Sequence, residues 1–354
     1  GEYVTHYPGL QRDSHPDGYS LPCCFKKQQK EDKPKAKQTQ PTNYVVDATK
    51  FPLTEHRIGF LLGELEDFLQ SDHKKCVEKS NPSIIMPNKK CFVRYGVNQD
   101  ITRSLLCCYA DLYCKLNNKE NVSIENMANI MYNAITIDDF IKYNNGSLVS
   151  LFKIKDSYIV ENLDVYKSSD IYKKLNLSND NEKELLSEIS NSYENFRNFL
   201  IDPYSILDHT YFWSIFCNPN NNLIPSGLNM VIFEINKANH IEVLCPTNVY
   251  IANIFDQTKP IWFLYKRDAY YEPIYLYENG DYTCLFDKSM KDIHMDYIYE
   301  VLKTNINQVC KPKKSLPNID KYTKPQHLET MVTILEKYSI EIKNEVMNYQ
   351  SKVI

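Results

Sequence analysis

Residues 260–286 read PIWFLYKRDAYYEPIYLYENGDYTCLF, and this stretch decides the predicted fold. It is rich in β-branched and aromatic residues and is interrupted by short turns, a pattern typical of β-strands. Because turns this short join antiparallel neighbours, and because similar runs lie just upstream, we predict an antiparallel meander of about five strands. The predicted strands cover residues 228–235, 240–245, 260–266, 271–277 and 282–286.

The sequence around this sheet predicts helices. A helix is expected at 295–309, where it can cover one face of the sheet. Upstream, apolar residues recur at three- and four-residue spacing over 54–70 and 181–200, which predicts two amphipathic helices. A further apolar stripe over 326–353 predicts a long C-terminal amphipathic helix that needs a partner. The fold class is therefore α+β: a mixed helical and strand region, then the antiparallel sheet, then the C-terminal helix.

Changes of composition along the chain predict five segments. The first is an arm containing prolines and cysteines with a lysine-rich linker, and the others are a mixed α/β domain, a helical connector, the sheet with its helix, and a basic linker with the final helix. Their predicted ranges are 1–43, 44–160, 161–226, 227–310 and 311–354.

Short motifs mark several element ends. Ser123 is a predicted N-cap of a helix over 124–133, and Thr136 with Asp139 predicts a capping box for the next helix. A turn at 144–146 is expected to lead into an apolar strand over 147–154.

Charge and cysteine content narrow the function classes. The net charge of the 354 residues is only −4, so any surface for nucleic acid has to be local. Eleven cysteines, an odd number with two adjacent pairs, favour reduced thiols over a disulfide scaffold in a chain of this length. The longest apolar runs are under ten residues, and we expect no membrane association. Since the chain starts Gly1-Glu2-Tyr3, we expect a fragment of a longer polypeptide.

Most catalytic signatures are missing from the sequence. It contains no phosphate-binding glycine loop, no dinucleotide fingerprint, no His-Glu-x-x-His and no Gly-x-Ser-x-Gly. We therefore predict a protein that is not an enzyme, with no catalytic residues, no cofactor and no metal.

Three chemical alternatives stay open. A zinc site could use His15, Cys23, Cys24, His73, Cys76 or Cys91, although no C-x2-C hook is present. Cysteine catalysis could pair Cys23 or Cys24 with His15 or His56. A metal-dependent nuclease could use Glu234, Lys237 and Glu242, although their spacing does not match the usual motif.

Lysine clusters and sheet aromatics indicate a possible nucleic-acid interface. Lysines can contact phosphates, and exposed aromatic rings of the sheet could stack on or wedge between bases. The alternative is that the lysine segments are solvated connectors and the aromatics fill the core. The candidate basic contacts are Lys26, Lys27, Lys33, Lys35, Lys37, Lys266, Arg267, Lys311, Lys313 and Lys314.

Residues 15–27, HPDGYSLPCCFKK, form the least ordinary segment of the chain. The segment resembles a short stretch ending in Pro-Cys-Cys-Phe in the large subunit of the poxvirus early transcription factor and its giant-virus homologues. Weaker likenesses follow at 53–70, 92–97, 140–152 and 270–275. The residues that carry the resemblance are Tyr19, Pro22, Cys23, Cys24 and Phe25. From the residues alone, we expect the two cysteines and Phe25 to form a buried anchor.

The resemblance implies a function. It implies a non-enzymatic subunit of a viral early transcription initiation factor, which binds promoter DNA with a helicase-like ATPase subunit and recruits viral RNA polymerase. The implied location is the virion and the viral factory in the host cytoplasm. Part of the family's DNA contact is attributed to a fold like the TATA-binding protein, which the predicted sheet could resemble. The alternative is a protein-interaction or virion scaffold module that does not bind DNA directly.

Overall fold

The computed structural model describes residues 7–11, 21–25, 43–98, 100–153, 162–236, 240–246 and 255–310, the first two ranges by their backbone. The chain divides into two compact units, residues 1–44 and 45–354. In the first unit, strands β1 (Tyr7–Gln11) and β2 (Leu21–Phe25) pair antiparallel, with Gly9 opposite Cys23. The boundary between the units lies one residue after the end of the predicted N-terminal arm.

An eight-stranded mixed sheet organises the second unit. Its strands are β3 (Val45–Val46), β4 (Ile58–Gly59), β5 (Cys91–Tyr95), β6 (Asn229–Ile235), β7 (Ile241–Val243), β8 (Ile261–Arg267), β9 (Tyr270–Glu278) and β10 (Asp281–Thr283). The order is β3-β4-β5-β9-β8-β6-β7, and β10 pairs with the end of β9. Strands from the predicted ranges 44–160 and 227–310 therefore share one sheet, since β5 pairs with β9.

The α+β class is confirmed, and the predicted antiparallel neighbours pair except between β7 and β8, where the meander is interrupted. In a meander β8 would pair with β7, whereas here β7 lies at the outer edge and β8 pairs with the other side of β6. That pairing is parallel, with Asn229 opposite Ile261 and Glu234 opposite Lys266. The β-branched and aromatic pattern predicted the strands but did not fix which neighbours they would choose.

Helices cover both faces of the sheet. One core joins alternate sheet residues such as Trp262 and Leu264 to the larger helical layer. A second core joins the opposite alternation, Phe263 and Tyr265, to helices α1 and α9. The helices are α1 (Gly63–Phe68), α2 (Ser104–Leu116), α3 (Ile124–Ala134), α4 (Ile137–Phe140), α5 (Ser147–Leu151), α6 (Asp170–Lys174), α7 (Asp180–Ile201), α8 (His209–Cys217) and α9 (Met295–Val309).

Several predicted helix ends are confirmed in atomic detail. Helix α9 has the predicted bounds. The Ser123 hydroxyl accepts a hydrogen bond from the backbone N–H of Asn126 at 3.2 Å, and Thr136 and Asp139 form the predicted capping box. These features depend on neighbours three residues apart, which is why the sequence predicts them well.

The helix predicted over 54–70 is wrong in its first half. Instead, the backbone N–H of His56 donates to the carbonyl oxygen of Gly96 at 2.8 Å, and the N–H of Gly96 donates to the carbonyl oxygen of Arg57 at 2.7 Å. This contact is very close, because a Cβ placed on Gly96 would lie 2.0 Å from the carbonyl oxygen of Thr54. A strand partner therefore takes residues that the apolar spacing assigned to a helix.

The strand predicted over 147–154 is also wrong, because α5 occupies its first five residues. Gly146 has a φ of 82°, which ends the preceding turn in a left-handed conformation. Leu148 is buried, and the ring of Phe152 packs 5.2 Å from that of Phe196 on α7. A short apolar run alone does not distinguish a buried helix from a buried strand.

Candidate nucleic-acid interface and polar clusters

Only two of the predicted nucleic-acid contacts, Lys266 and Arg267, lie in the part of the chain that the structure describes. The Nζ of Lys266 pairs with Oε1 of Glu234 on the neighbouring strand, and only 16% of the Lys266 side chain is exposed. Its charge is therefore largely balanced within the protein. Arg267 is exposed, and its guanidinium carbon lies 5.9 Å from the centre of the Phe51 ring. The other eight candidates lie outside the described residues; they are Lys26, Lys27, Lys33, Lys35, Lys37, Lys311, Lys313 and Lys314.

The segment that carries the family resemblance lies largely in β2. In the backbone register, Pro22 and Cys24 are paired with Leu10 and Pro8, and Phe25 is paired with Tyr7. Tyr19 and His15 lie outside the described residues. The buried anchor expected for the two cysteines therefore stays a prediction.

Seven of the sheet aromatics are buried, which corrects the idea that these rings could stack on bases, and Tyr270 and Tyr282 are half-buried. Both faces carry helices, so alternate side chains of each central strand point into one core or the other. A saddle-shaped open sheet that reads a DNA groove is incompatible with this covering. The sheet aromatics that are at most 3% exposed are Phe233, Trp262, Phe263, Tyr265, Tyr271, Tyr275 and Tyr277.

A buried ion pair joins the two central strands β5 and β9. Nη1 of Arg94 donates to Oε2 of Glu272 at 2.6 Å, and both side chains are at most 2% exposed. The remaining guanidinium nitrogens donate to the carbonyl oxygens of Phe60, Ala48 and Lys50 at 2.8 to 3.0 Å. This pair holds the chain before β5 against the sheet.

Glu272 completes the network from the other side. Its Oε1 accepts a hydrogen bond from the backbone N–H of Leu53 at 2.5 Å. Burial raises the pKa of Glu272, while Arg94 and the Leu53 N–H oppose that shift. A lone Arg and Glu 178 residues apart carry no sequence signal of such a contact, and the strand register alone brings them together.

A second polar cluster lies at the carboxyl end of β8. Beside the Lys266–Glu234 pair, the hydroxyl of Tyr271 lies 2.8 Å from Nδ1 of His209. Burial lowers the pKa of His209, Lys266 adds to the effect, and Asp208 and Glu234 oppose it. The arrangement favours a neutral imidazole that is hydrogen-bonded to the hydroxyl of Tyr271.

A third cluster surrounds the ammonium group of Lys115. The group lies 4.3 to 5.5 Å from the ring centres of Tyr95, Tyr275 and Tyr282, and it pairs with Asp111 at 2.6 Å. Asp111 also accepts a hydrogen bond from the Tyr275 hydroxyl at 2.6 Å. A cavity of about 180 Å³ lies alongside and is lined by Asp111 and Tyr95. The three tyrosine rings and the carboxylate stabilise a positive charge at this place, and the ammonium group of Lys115 is that charge.

The cysteines correct one prediction. Cys76 is disulfide-bonded to Cys91 and Cys245 to Cys310, so these four thiols are not reduced. The fold brings their Cα atoms to 6.0 and 5.3 Å, a proximity that sequence spacing does not reveal. The disulfide also removes Cys76 and Cys91 from the candidate zinc ligands, and the nearby His73 pairs with Glu66 at 2.8 Å.

Five cysteines carry free thiols in the described part of the chain. Burial raises the pKa of Cys107 and Cys284 to about 12 and that of Cys217 to about 11. Thiols with such pKa values carry almost no thiolate at neutral pH and are poor nucleophiles. The free cysteines are Cys107, Cys108, Cys114, Cys217 and Cys284.

Among the described residues, no group of three or more His, Cys, Asp or Glu side chains is placed to hold a metal ion. None of the described helices combines the length and the apolar character needed to cross a bilayer. No protein-family model, curated protein or solved structure matches the chain.

Proposed function

We propose that this chain is a non-catalytic subunit of a viral early transcription initiation factor. In this proposal the folded body (residues 45–310) binds partner proteins, and two lysine-rich segments contact the phosphates of promoter DNA. The observation that carries it is a separation of charge. Carboxylates outnumber lysines and arginines among the described residues, whereas residues 26–37 hold six lysines against one Glu and one Asp.

The second basic segment is 311–324, which follows α9 in the sequence. It holds five lysines against a single Asp. Because phosphate contact is electrostatic and independent of sequence, such segments can bind DNA without a shaped groove. An acidic body repels the same phosphates, so any DNA contact is expected to lie in these two segments.

The viral context rests on the resemblance at residues 19–25. The partners that it implies are a helicase-like ATPase subunit and the viral RNA polymerase, and the implied location is the virion and the viral factory. The body suits the protein-binding part of this role, because both faces of its sheet are filled and its described residues include more carboxylates than basic side chains.

A salt titration tests the DNA-binding part. Fluorescence anisotropy of a labelled A+T-rich duplex should report binding by the whole chain that weakens as salt rises. The slope of log K against log salt is negative. Replacing Lys311, Lys313 and Lys314 by Gln should make it less negative by about 0.9 for each phosphate that the variant no longer neutralises. Replacing Lys26, Lys27, Lys33, Lys35 and Lys37 by Gln should change the slope in the same direction.

A matched control keeps this test specific. Lys74, Lys75 and Lys79 form an exposed lysine triplet on the body, and replacing all three by Gln should leave the slope unchanged. Absence of salt-dependent binding by the whole chain, or an equal change of the slope in the control, would remove the DNA-binding role.

The second candidate is a protein-interaction or virion scaffold module that does not bind DNA. The covered sheet and the acidic body favour it, since neither offers a DNA surface. It predicts no duplex binding at any salt concentration, together with co-elution with purified viral polymerase or the ATPase subunit in gel filtration.

The nuclease alternative gains no support from the geometry. Glu234 and Glu242 lie opposite each other on β6 and β7. However, Glu234 pairs with Lys266, and Glu242 accepts a hydrogen bond from the side-chain amide of Asn236 at 2.5 Å. Lys237 lies outside the described residues.

A further inference from the structure

Four exposed apolar side chains lie where the loop before α2 adjoins the C-terminal end of α7 and the loop that follows it. They are four of the nine large apolar side chains that are exposed in the described part of the chain. Tyr204 is 88% exposed, the highest value among them. We name this surface the Tyr204 patch, and it consists of Ile101, Ile201, Tyr204 and Ile206. Such a concentration of exposed apolar groups marks an interaction surface.

The two loops are held together by hydrogen bonds. The backbone N–H of Leu207 donates to the carbonyl oxygen of Thr102 at 2.8 Å. Nη2 of the buried Arg103 donates to the carbonyl oxygen of Ile201 at 3.1 Å. Leu207 is itself buried in the core. The patch is therefore pre-organised, and binding would order little additional chain.

Three carboxylates lie beside the patch residues in the sequence. Asp100 and Asp202 adjoin its isoleucines in the sequence, and Asp208 follows two residues after Ile206. Asp202 accepts hydrogen bonds from the N–H of Tyr204 and the hydroxyl of Ser205, and these hold its pKa below the usual value. The surface thus combines an apolar centre with neighbouring negative charges. That combination disfavours both DNA and an identical patch on a second copy.

The chain itself contains a segment of matching chemistry. Residues 311–325 read KPKKSLPNIDKYTKP, in which Leu316, Ile319 and Tyr322 lie among five lysines. Residues 26–42, the other lysine-rich segment, carry no large apolar side chain. Of the two lysine-rich segments, only residues 311–325 therefore offer both the apolar groups and the positive charges that the patch requires.

We propose that the Tyr204 patch binds residues 311–325 of the same chain. In the absence of DNA, the apolar side chains of the segment cover Tyr204 and the three isoleucines, and its lysines face the neighbouring carboxylates; lysines held in this way are not free to contact phosphates, so DNA and the patch compete for the segment. The segment follows directly after Cys310, which belongs to the same compact unit as the patch. Fifteen extended residues reach roughly 50 Å, which matches the full width of a domain of this size.

Photo-crosslinking in the whole chain tests the contact without any nucleic acid, so its result is independent of the DNA-binding proposal. A benzoyl-phenylalanine at position 204 should crosslink within the monomer to residues 311–325, as identified by peptide mass spectrometry. Leu185 provides the matched control position, because it is exposed on α7 about 24 Å from Ile201 along the helix axis. A probe at 185 should not reach the segment.

Two triple variants show whether the crosslink depends on residues 311–325 or on the part of the chain that follows them. Replacing Leu316, Ile319 and Tyr322 by Ser should lower the crosslink yield at least fivefold. Replacing Met331, Ile334 and Leu335 by Ser should change it less than twofold. Crosslinks found in a dimer would assign the patch to a second copy and would overturn the proposal. The proposal would also be overturned by crosslinks to other residues, by equal yields from position 185, or by no crosslinks at all.

Discussion

Two ion pairs in the same sheet differ in almost every respect except their placement across neighbouring strands. Arg94 and Glu272 are at most 2% exposed, and the guanidinium forms four hydrogen bonds. Lys266 and Glu234 are 16% and 30% exposed and are joined by a single hydrogen bond. The first pair lies between central strands, whereas the second lies where β6 and β8 reach the sheet end.

The difference shows how environment decides what an ion pair does. A buried charge has lost its water, so it must have protein partners for each of its donors, and the forked guanidinium of arginine can supply several bonds in fixed directions. A partly exposed lysine keeps water on its remaining donors. We therefore expect the Arg94 pair to be essential for the fold and the Lys266 pair to be nearly dispensable.

The largest expected effect comes from removing Arg94. Arg94→Met leaves Glu272 as a buried carboxylate with no cation, and the free energy of unfolding should fall by about 3–5 kcal/mol. Urea denaturation followed by circular dichroism measures this decrease.

A second variant makes that prediction specific. Arg94→Met combined with Glu272→Leu removes both charges and should be more stable than Arg94→Met alone, because no unpaired charge remains. A decrease below about 1 kcal/mol in the single variant would show that the pair does not hold the sheet together.

A smaller effect is expected from pH at the second cluster. Burial lowers the pKa of His209, so the folded state binds its proton less readily than the unfolded chain does. Stability should therefore fall as pH drops below 6.5, by at most about 1.4 kcal/mol per pH unit from this group. Unfolding free energies measured between pH 5 and 8 should show a smaller decline in His209→Gln.

The control for this experiment is the exposed His240. The His240 side chain is 73% exposed, so His240→Gln should change the free energy of unfolding less than His209→Gln does. If His209→Gln and His240→Gln gave the same curve, burial of His209 would not be the cause of the decline.

The smallest effect is expected for the partly exposed pair. Lys266→Gln should lower the free energy of unfolding by less than about 1 kcal/mol, because solvent already weakens the attraction between Lys266 and Glu234. Lys90, which pairs with Asp292 at the surface, provides a comparison of the same kind. A destabilisation at Lys266 that approached the one at Arg94 would contradict the distinction between the two pairs.

The sequence predicts those parts of the fold that depend on near neighbours. Helix α9, the Ser123 cap and the capping box of Thr136 and Asp139 follow from residues three or four apart. Strands β6 to β10 were also predicted, since their composition is strongly β-like.

The remaining features depend on contacts between distant residues. The close approach of Thr54 to Gly96 replaces part of a predicted helix with strand pairing. Parallel pairing of β6 with β8, the two disulfides and the Arg94–Glu272 pair all require the tertiary register to be known. For the candidate interface, the sequence identified Lys266 but not the carboxylate that balances its charge.

The Arg94–Glu272 pair also has a consequence for the order of events during synthesis. Strand β5 leaves the ribosome 178 residues before the carboxylate that its arginine needs. At about 5–20 residues per second, this interval lasts roughly 10–40 s. Throughout it, β5 has neither its neighbour β9 nor its counter-ion, so a nascent chain at this stage exposes an apolar strand edge that a chaperone would have to cover.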